Sequence, residues 1–464
     1  MLLSAKTCLA QQYSITDLGT LAGGDYSTAT GINASGQVIG WATANGDPED
    51  DLAFRTAANR PINPATDGLG TFGGPGIFGL PESFAYGINA SGQVVGWSYT
   101  ADGMHAFRTA ANSPINPATD DLGTFGGLQS VAYGINASGQ VVGCSTITDN
   151  TTWHAFRTAA NRPINPVTDD MGGGCGLGIN ASGQVIGTAV LGGAFRTAPN
   201  SPINPATDFL GTLGGTRTAA AGINDSGQVV GSSNVTGDAT WHAFRTAANS
   251  PINPATDDLG TLGGLYSEAE GINASGQVVG FSKVAGDPWL PQHAFVYLGG
   301  KMYDLNDLIP AGSGWELFSA NGINDAGQIV GQGTHNFGYR AFLLTPNHPY
   351  KAFVQPPINS DGSSIFKASR GVIPVKFTLT KNDSPTCDLP SAMISVTRTA
   401  GGTIGSVDGG RYIMAADSGS SFRIDPAACE YIYNLATRAL GIGAYRVDIS
   451  INGYVVGSAV FELE

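Results

Sequence analysis

Gly31-Ile32-Asn33-Ala34-Ser35-Gly36-Gln37-Val38-Ile39-Gly40 decides the fold, because the chain repeats it. Close variants begin at Gly87, Gly134, Gly178, Gly222, Gly271 and Gly322, with a period of 44 to 56 residues. Asn can cap its own turn through its side chain, and the Gly four positions before the last can take a positive φ. Asn-Ala-Ser-Gly therefore reads as a tight turn between two strands. Gln-Val-Val-Gly is rich in β-branched residues. Each copy is followed by Ala-Phe, with its Phe at Phe54, Phe107, Phe156, Phe195, Phe244, Phe295 and Phe342, and in most copies by Arg-Thr. Five copies then carry Pro-Ile-Asn-Pro-Ala-Thr-Asp or a one-residue variant, from Pro61, Pro114, Pro163, Pro202 and Pro251. Each unit predicts four short strands: a ends in Gly-Ile-Asn, b is Gln-Val-Val-Gly, c is Ala-Phe-Arg-Thr, and d runs to Asp-x-Leu-Gly. Nothing in the repeat has the 3.6-residue period of a helix.

Seven four-stranded units at this period describe an all-β fold, a seven-bladed β-propeller. The seventh unit lacks strand d and runs into Thr345-Pro346-Asn347-His348-Pro349. The missing piece stands at the other end, where Tyr13 to Gly19 matches the d pattern ahead of the first strand a. The amino-terminal strand is thus expected to complete the last blade and close the ring. The prolines of strand d suit an edge strand, since proline cannot donate to a ladder. The expected division is residues 1–12 as a signal remnant or disordered amino terminus, 13–349 as the propeller, and 350–464 as a different domain.

Of 464 residues 67 are Gly and only 12% are charged, against usual shares of about 7% and 25%. A net charge of -14 argues against binding nucleic acid, which needs clustered Lys and Arg. No run reaches the roughly 18 apolar residues of a membrane helix.

The a-to-b turn never changes length, whereas the b-to-c and d-to-a connections do. In a propeller those two kinds of connection emerge on opposite faces. Binding residues concentrate on variable loops held by a rigid scaffold. The variable face carries Asp50, Tyr99, Asp102, Trp153, Trp241, Asp287 and Trp289 as candidate ligand contacts. Asp47, Glu49, Asp50 and Asp51 form its densest acidic stretch and are weak calcium candidates, since calcium takes oxygen ligands. No other cofactor is indicated. The repeated Arg is expected to pair with the Asp of strand d, such as Asp120 or Asp257. The repeated His reads as structural, because a catalytic His is usually unique.

His-Ala-Phe at His105, His154, His242 and His293, beside the Gly-Ile-Asn string, resembles the HAF repeats of secreted bacterial proteins. Leu52, Gly193 and Arg340 depart from that pattern. The resemblance implies an extracellular or cell-surface bacterial protein and carries no reaction with it. After Pro349 the repeat stops. Ile373 to Leu379, Tyr445 to Ile451 and Val455 to Leu463 read as longer strands of an immunoglobulin-like β-sandwich. Pro374-Val375-Lys376-Phe377 resembles the Pro-x-Lys-Phe domain at the ends of bacterial surface proteins. In an exported chain Cys387 and Cys429 are disulfide candidates, as are Cys144 and Cys175; buried thiols are the alternative.

These readings favour a binding or structural protein that contacts a glycan, a polymer or a surface protein, without nucleic acid or a membrane span. The alternative is a secreted hydrolase or lyase acting on a polymer with acids of the central funnel. No G-x-S-x-G, H-E-x-x-H, phosphate loop or dinucleotide fingerprint is present.

Overall fold

The Gly-Ile-Asn string folds as a hairpin in every repeat. In the first, Ser27–Ile32 pairs antiparallel with Val38–Ala44, and the last pairs with Asp47–Arg55. Asn33 Oδ1 accepts from the amides of Ser35 and Gln37 at 3.1 and 3.0 Å, and Gly36 has φ +85°. The turn is thus held by the side chain that its composition predicts. The closing Gly of strand b is forced by space: a Cβ on Gly143 meets Val131 O at 1.9 Å and Phe156 Cζ at 2.7 Å.

The protein is described here from a computed structural model, which covers residues 13–44, 46–76, 79–189, 193–286, 292–347, 350–359, 361–381, 384–399, 407–408, 416–438, 440–451 and 454–464. Residues 1–12, with Cys8, lie outside these. The chain divides into two compact units, Met1–Pro346 and Asn347–Glu464. Among the described residues the regular structure is strand throughout, apart from two three-residue 3-10 turns. The fold is all-β, built of several sheets.

Strand d is a correction. In four units it shrinks to one bridge: Phe54 with Gly68, Phe107 with Asp121, Phe195 with Phe209, and Phe244 with Asp258. The cause is the Pro-Ile-Asn-Pro-Ala-Thr-Asp string. Its prolines lack amide hydrogens, and it closes on itself, Asn116 N donating to Asp120 Oδ2 at 2.8 Å and Ala118 N to Asn116 Oδ1 at 3.1 Å. Lys301–Asp304 and Tyr13–Asp17, which lack that string, pair over four and five residues, and in the third repeat, which has it, the start of Asp170–Ile179 pairs with Trp153–Arg157 over three. Tyr13–Asp17 pairs with the seventh unit, from Tyr13 opposite Pro346 to Asp17 opposite Phe342. The first unit brings a second correction. The acidic stretch Asp47 to Asp51, expected on a variable loop, lies in strand Asp47–Arg55.

Three sets of contacts link the repeats, the first and third at all seven boundaries and the second in the five repeats that carry the proline string. Buried Asn33 Nδ2 donates to Asn89 O, Asn89 to Asn136, Asn136 to Asn180, Asn180 to Asn224, Asn224 to Asn273, Asn273 to Asn324, and Asn324 back to Asn33, at 3.1–3.3 Å. At the outer edge the Ile of the proline string donates to the preceding unit, as Ile115 N to Leu69 O and Ile62 N to Leu18 O, both at 2.8 Å. The apolar core lies between neighbours. Ile39 and Ala53 pack with Phe107 and Val94, and Leu18, Val330 and Leu343 pack with Phe54 and Val38. The seven repeat phenylalanines are fully buried, which stabilises by about 2–3 kcal/mol each.

Among the described residues of the second unit, Asn347–Glu464, there are two five-stranded sheets. One orders Tyr350–Gln355, Val372–Lys381, Glu430–Ala436 and Arg423–Asp425, with Ser384–Thr386 also on Val372–Lys381. The other orders Ala392–Thr399, Gly443–Ile451, Tyr454–Leu463, Ser364–Phe366 and Val407–Asp408. Phe377, Tyr431, Tyr445, Val447 and Phe461 are in its core.

Candidate functional site

The repeat has two ends. At one, the a-to-b turn meets the c-to-d turn: Asn59 N donates to Gly36 O at 2.8 Å, and Asn59 takes φ +57° so that its amide lies against Gly36. Gln93 Nε2 reaches Asn161 Oδ1 of the next unit at 3.1 Å. The repeated Arg works at this end too: the charge of the strand-d Asp acts on it, as Asp120 on Arg108, but its hydrogen bonds go to carbonyls of the next repeat. Arg55, Arg108, Arg157 and Arg196 donate to carbonyls of Ser113, Arg162, Ser201 and Ser250 in the following unit, each at 3.0 Å. Asp120 and Asp257 instead accept from the amides of Asn116 and Asn253. At the other end the variable connections meet each other, Leu128 N with Asn150 Oδ1 at 2.8 Å and Gly74 N with Tyr99 O at 2.9 Å.

The predicted contact residues do not converge. Asp50 is buried in strand c of the first unit, and Asp51, next along an extended chain, turns to the other face. Burial, then the charge of Asp50, pushes the Asp51 carboxyl up. The side chains of Asp47 and Glu49, and Asp287 and Trp289 entirely, lie outside the described residues. Among the described residues no group of three or more His, Cys, Asp and Glu side chains is placed to hold a metal ion. Asp102 is an exposed turn residue. Trp153 and Trp241 are half-buried at the start of strand c in their own units, and Trp241 pairs in register with Tyr266 of the next. Loop acids serve their own loops: Asp149 accepts from the hydroxyl and amide of Thr152 and the amide of Thr151, which holds its carboxyl down at about 2. Cys144 and Cys175 form a disulfide between strand b of the third unit and strand a of the fourth, with Cα atoms 4.7 Å apart. Cys387 and Cys429 are joined in the second unit.

What the structure brings together is different. A cavity of about 270 Å³ is lined by the Gly-Ile pairs of all seven units, from Gly31-Ile32 to Gly322-Ile323, with Tyr86, Tyr133 and Leu177. The glycines are there because the chains crowd: a Cβ on Gly322 meets the Cα of Gly31 at 3.3 Å. Half-buried aromatic rings run outward from this cavity. Tyr86 and Tyr133 lie 5.2 Å apart, Trp41 and Phe84 5.2 Å, Phe84 and Trp97 4.5 Å in a stack, and Trp97 and Tyr99 5.3 Å. Trp97 Nε1 donates to Tyr86 Oη at 3.3 Å. Only Tyr99 of these stands out in the sequence. The others sit inside strands that look alike, and the signal for them is the unit-by-unit difference. Where Tyr86 and Tyr133 precede the strand-a Gly, the remaining units have Thr30, Leu177, Ala221, Glu270 and Asn321.

The sixth unit contributes acids instead. Glu268 and Glu270 project from one face of Gly263–Ile272. Burial, then the charge of Glu268, pushes the Glu270 carboxyl up to about 7. The Tyr266 hydroxyl donates to Glu268 Oε2, and its ring stacks on Phe281 at 5.7 Å. Burial first, then that hydrogen bond, keeps Tyr266 protonated.

The repeat histidines each hold an Asp on the d segment: His105 with Asp121, His154 with Asp170, His242 with Asp258, and His293 with Asp304, at 2.6–2.9 Å. That Asp in turn caps a glycine turn, as Asp121 Oδ1 accepts from Gly123 N at 2.7 Å. Where Leu52 and Gly193 replace the His, Gly68 and Phe209 replace the Asp. In the seventh unit Arg340 stands at the His position, and His335 from strand b reaches Asp17 at 2.8 Å.

Residues 209–404 match a family described as "Protein of unknown function (DUF3466)". No curated protein matches the chain. Among solved structures it is similar to an oxidoreductase (glucose dehydrogenase) from Thermus thermophilus, at 11% identity, covering 56% of this chain and 96% of that one, with a TM-score of 0.27. It is also similar to the Trypanosoma rangeli sialidase, at 9% identity, covering 69% and 53%, TM-score 0.30. A third likeness is to the extracellular domain of a one-component system from B. thetaiotaomicron, at 10% identity, covering 94% and 69%, TM-score 0.24. Likenesses this slight carry no functional information. No helix among the described residues is long and apolar enough to cross a membrane.

Proposed function

We propose that residues 13–346 form a seven-bladed β-propeller of HAF-repeat type, closed by Tyr13–Asp17, and that the second unit is an immunoglobulin-like sandwich of the Pro-x-Lys-Phe kind. On this reading the protein works outside the bacterial cell or on its surface. It binds a glycan, polymer or surface protein through the loop end of the propeller, and the second unit presents it. The closed cycle of seven asparagine bonds supports the ring. One observation carries the choice of face. Repeated side chains at the turn end are spent on unit-to-unit bonds, whereas positions at the loop end differ from unit to unit. Retention on immobilised cell-surface polymers and proteins tests it. Trp153→Ala with Trp241→Ala should weaken retention and Gln93→Ala should leave it. The reverse outcome sinks the choice of face.

A second reading, a secreted hydrolase or lyase, is favoured by Glu268 and Glu270. A carboxyl half-protonated near neutral pH suits a general acid. Release of reducing ends from a polymer, abolished by Glu270→Gln, would establish it; no release from any polymer in the panel would remove it.

A further inference from the structure

We propose that Trp41, Phe84, Tyr86, Trp97, Tyr99 and Tyr133 form a subsite that stacks on the rings of a neutral saccharide chain. The inference rests on the reading of the protein as a binder and deepens it by naming the ligand: the rings run from Tyr86 and Tyr133, beside the Gly-Ile pairs that lead into the a-to-b turns, along strand b to Tyr99 at the loop end. The chain supplies its own control. All seven units make the same hairpin, the same asparagine bond and the same buried Phe, so the scaffold does not need aromatics at these positions. At the strand-b position of Trp41 and Trp97 the other units carry Cys144, Thr188, Ser232, Phe281 and Gln332. Where Trp41 of the first unit meets Phe84 of the second, the third and fourth units have a disulfide. That bridge performs the clamping without presenting a ring.

The six rings are half-buried, Tyr86 and Tyr133 line the cavity and the other four adjoin them ring to ring, and together they carry three Tyr hydroxyls and two indole N–H groups. Flat apolar faces with hydrogen-bonding edges match a sugar, which offers C–H faces and peripheral hydroxyls. The charge nearby disfavours an anionic polymer. The ionised group that acts on Tyr99 is Glu82, the chain as a whole carries -14, and binding a polyanion needs clustered Lys and Arg. A lipid surface asks for a continuous exposed apolar patch, whereas these rings are half-buried.

The test uses the whole chain and soluble xylan, mixed-linkage β-glucan and galactomannan as neutral probes, with alginate and heparin as anionic ones. Affinity electrophoresis and quenching of tryptophan fluorescence report binding. A neutral polysaccharide should bind. Trp97→Ala and Tyr133→Ala should each weaken it by about tenfold or more, and Trp97→Phe should restore most of the loss. Thermal unfolding of each variant separates loss of the site from loss of the fold. Binding undiminished in Trp97→Ala and Tyr133→Ala but lost in Trp241→Ala overturns the subsite and keeps the face. Binding only of alginate or heparin overturns the neutral ligand. No binding of any neutral polysaccharide overturns the inference.

Discussion

The turn end and the loop end of the repeat are built by opposite rules. At the turn end, Asn33, Gly36, Gln37 and Asn59 recur in most units because each bonds across a unit boundary or within the turn that makes such bonds. A change in one unit therefore breaks a bond in its neighbour. At the loop end the connections bond mainly to each other, so they differ in length and residue type without disturbing the scaffold. Uniformity within a chain therefore marks structure, and departure from it marks freedom to specialise. The aromatics of the first three repeats and the acids of the sixth are two such departures, on one scaffold.

The largest expected effect tests the scaffold at its seam. Removing Tyr13–Asp17 takes away a five-residue pairing and exposes the outer edge of the seventh unit. It should cost roughly 5 kcal/mol or abolish a single cooperative transition, measured by urea unfolding. Next, Asn136→Ala at the turn end should cost ~2–3 kcal/mol, because buried partners in two units lose their bonds. Asp102→Ala at the loop end should stay within about 0.5 kcal/mol. Equal costs at the two ends would erase the contrast drawn above. The remaining prediction is the pH dependence of Glu270. Its folded pKa of about 7 lies above the unfolded value of 4.5, so the folded state binds the extra proton between them. Stability should fall as pH rises through that window, and Glu270→Gln should flatten the slope in melting curves taken between those two values.

Much of this architecture is legible in the string Gly-Ile-Asn-Ala-Ser-Gly-Gln-Val-Val-Gly, since Asn and Gly specify a turn through local hydrogen bonds and φ alone. Strand d is shorter than its letters suggest. The two prolines mark an edge, but the hydrogen bonds of Asn116 with Asp120 that curl it into a turn depend on geometry not visible in spacing. The role of Arg108 is hidden for a related reason. Its partner is a carbonyl of Arg162, in another unit, and carbonyls leave no mark on a sequence. The His335–Asp17 pair joins positions 318 apart, and Arg340 at the expected place hides it. The His and Asp of the other units vanish together in the first and fourth, a pattern present in the letters once the bond is known. The aromatic rings are hard to single out because alternation marks them only as residues between buried neighbours. Which face of a strand opens on a cavity depends on the curvature of the whole assembly.

The strand contributed by Tyr13–Asp17 also fixes the order of assembly. Ser14 bonds to Thr345, 331 positions away, so most of the chain must be synthesised before the first segment has a place to dock. Until then the leading ribbon and the vacant slot are both available to other molecules. Refolding at rising concentration therefore trades monomers for dimers that have exchanged leading ribbons, and a tether joining the two ends of the repeat array suppresses that exchange.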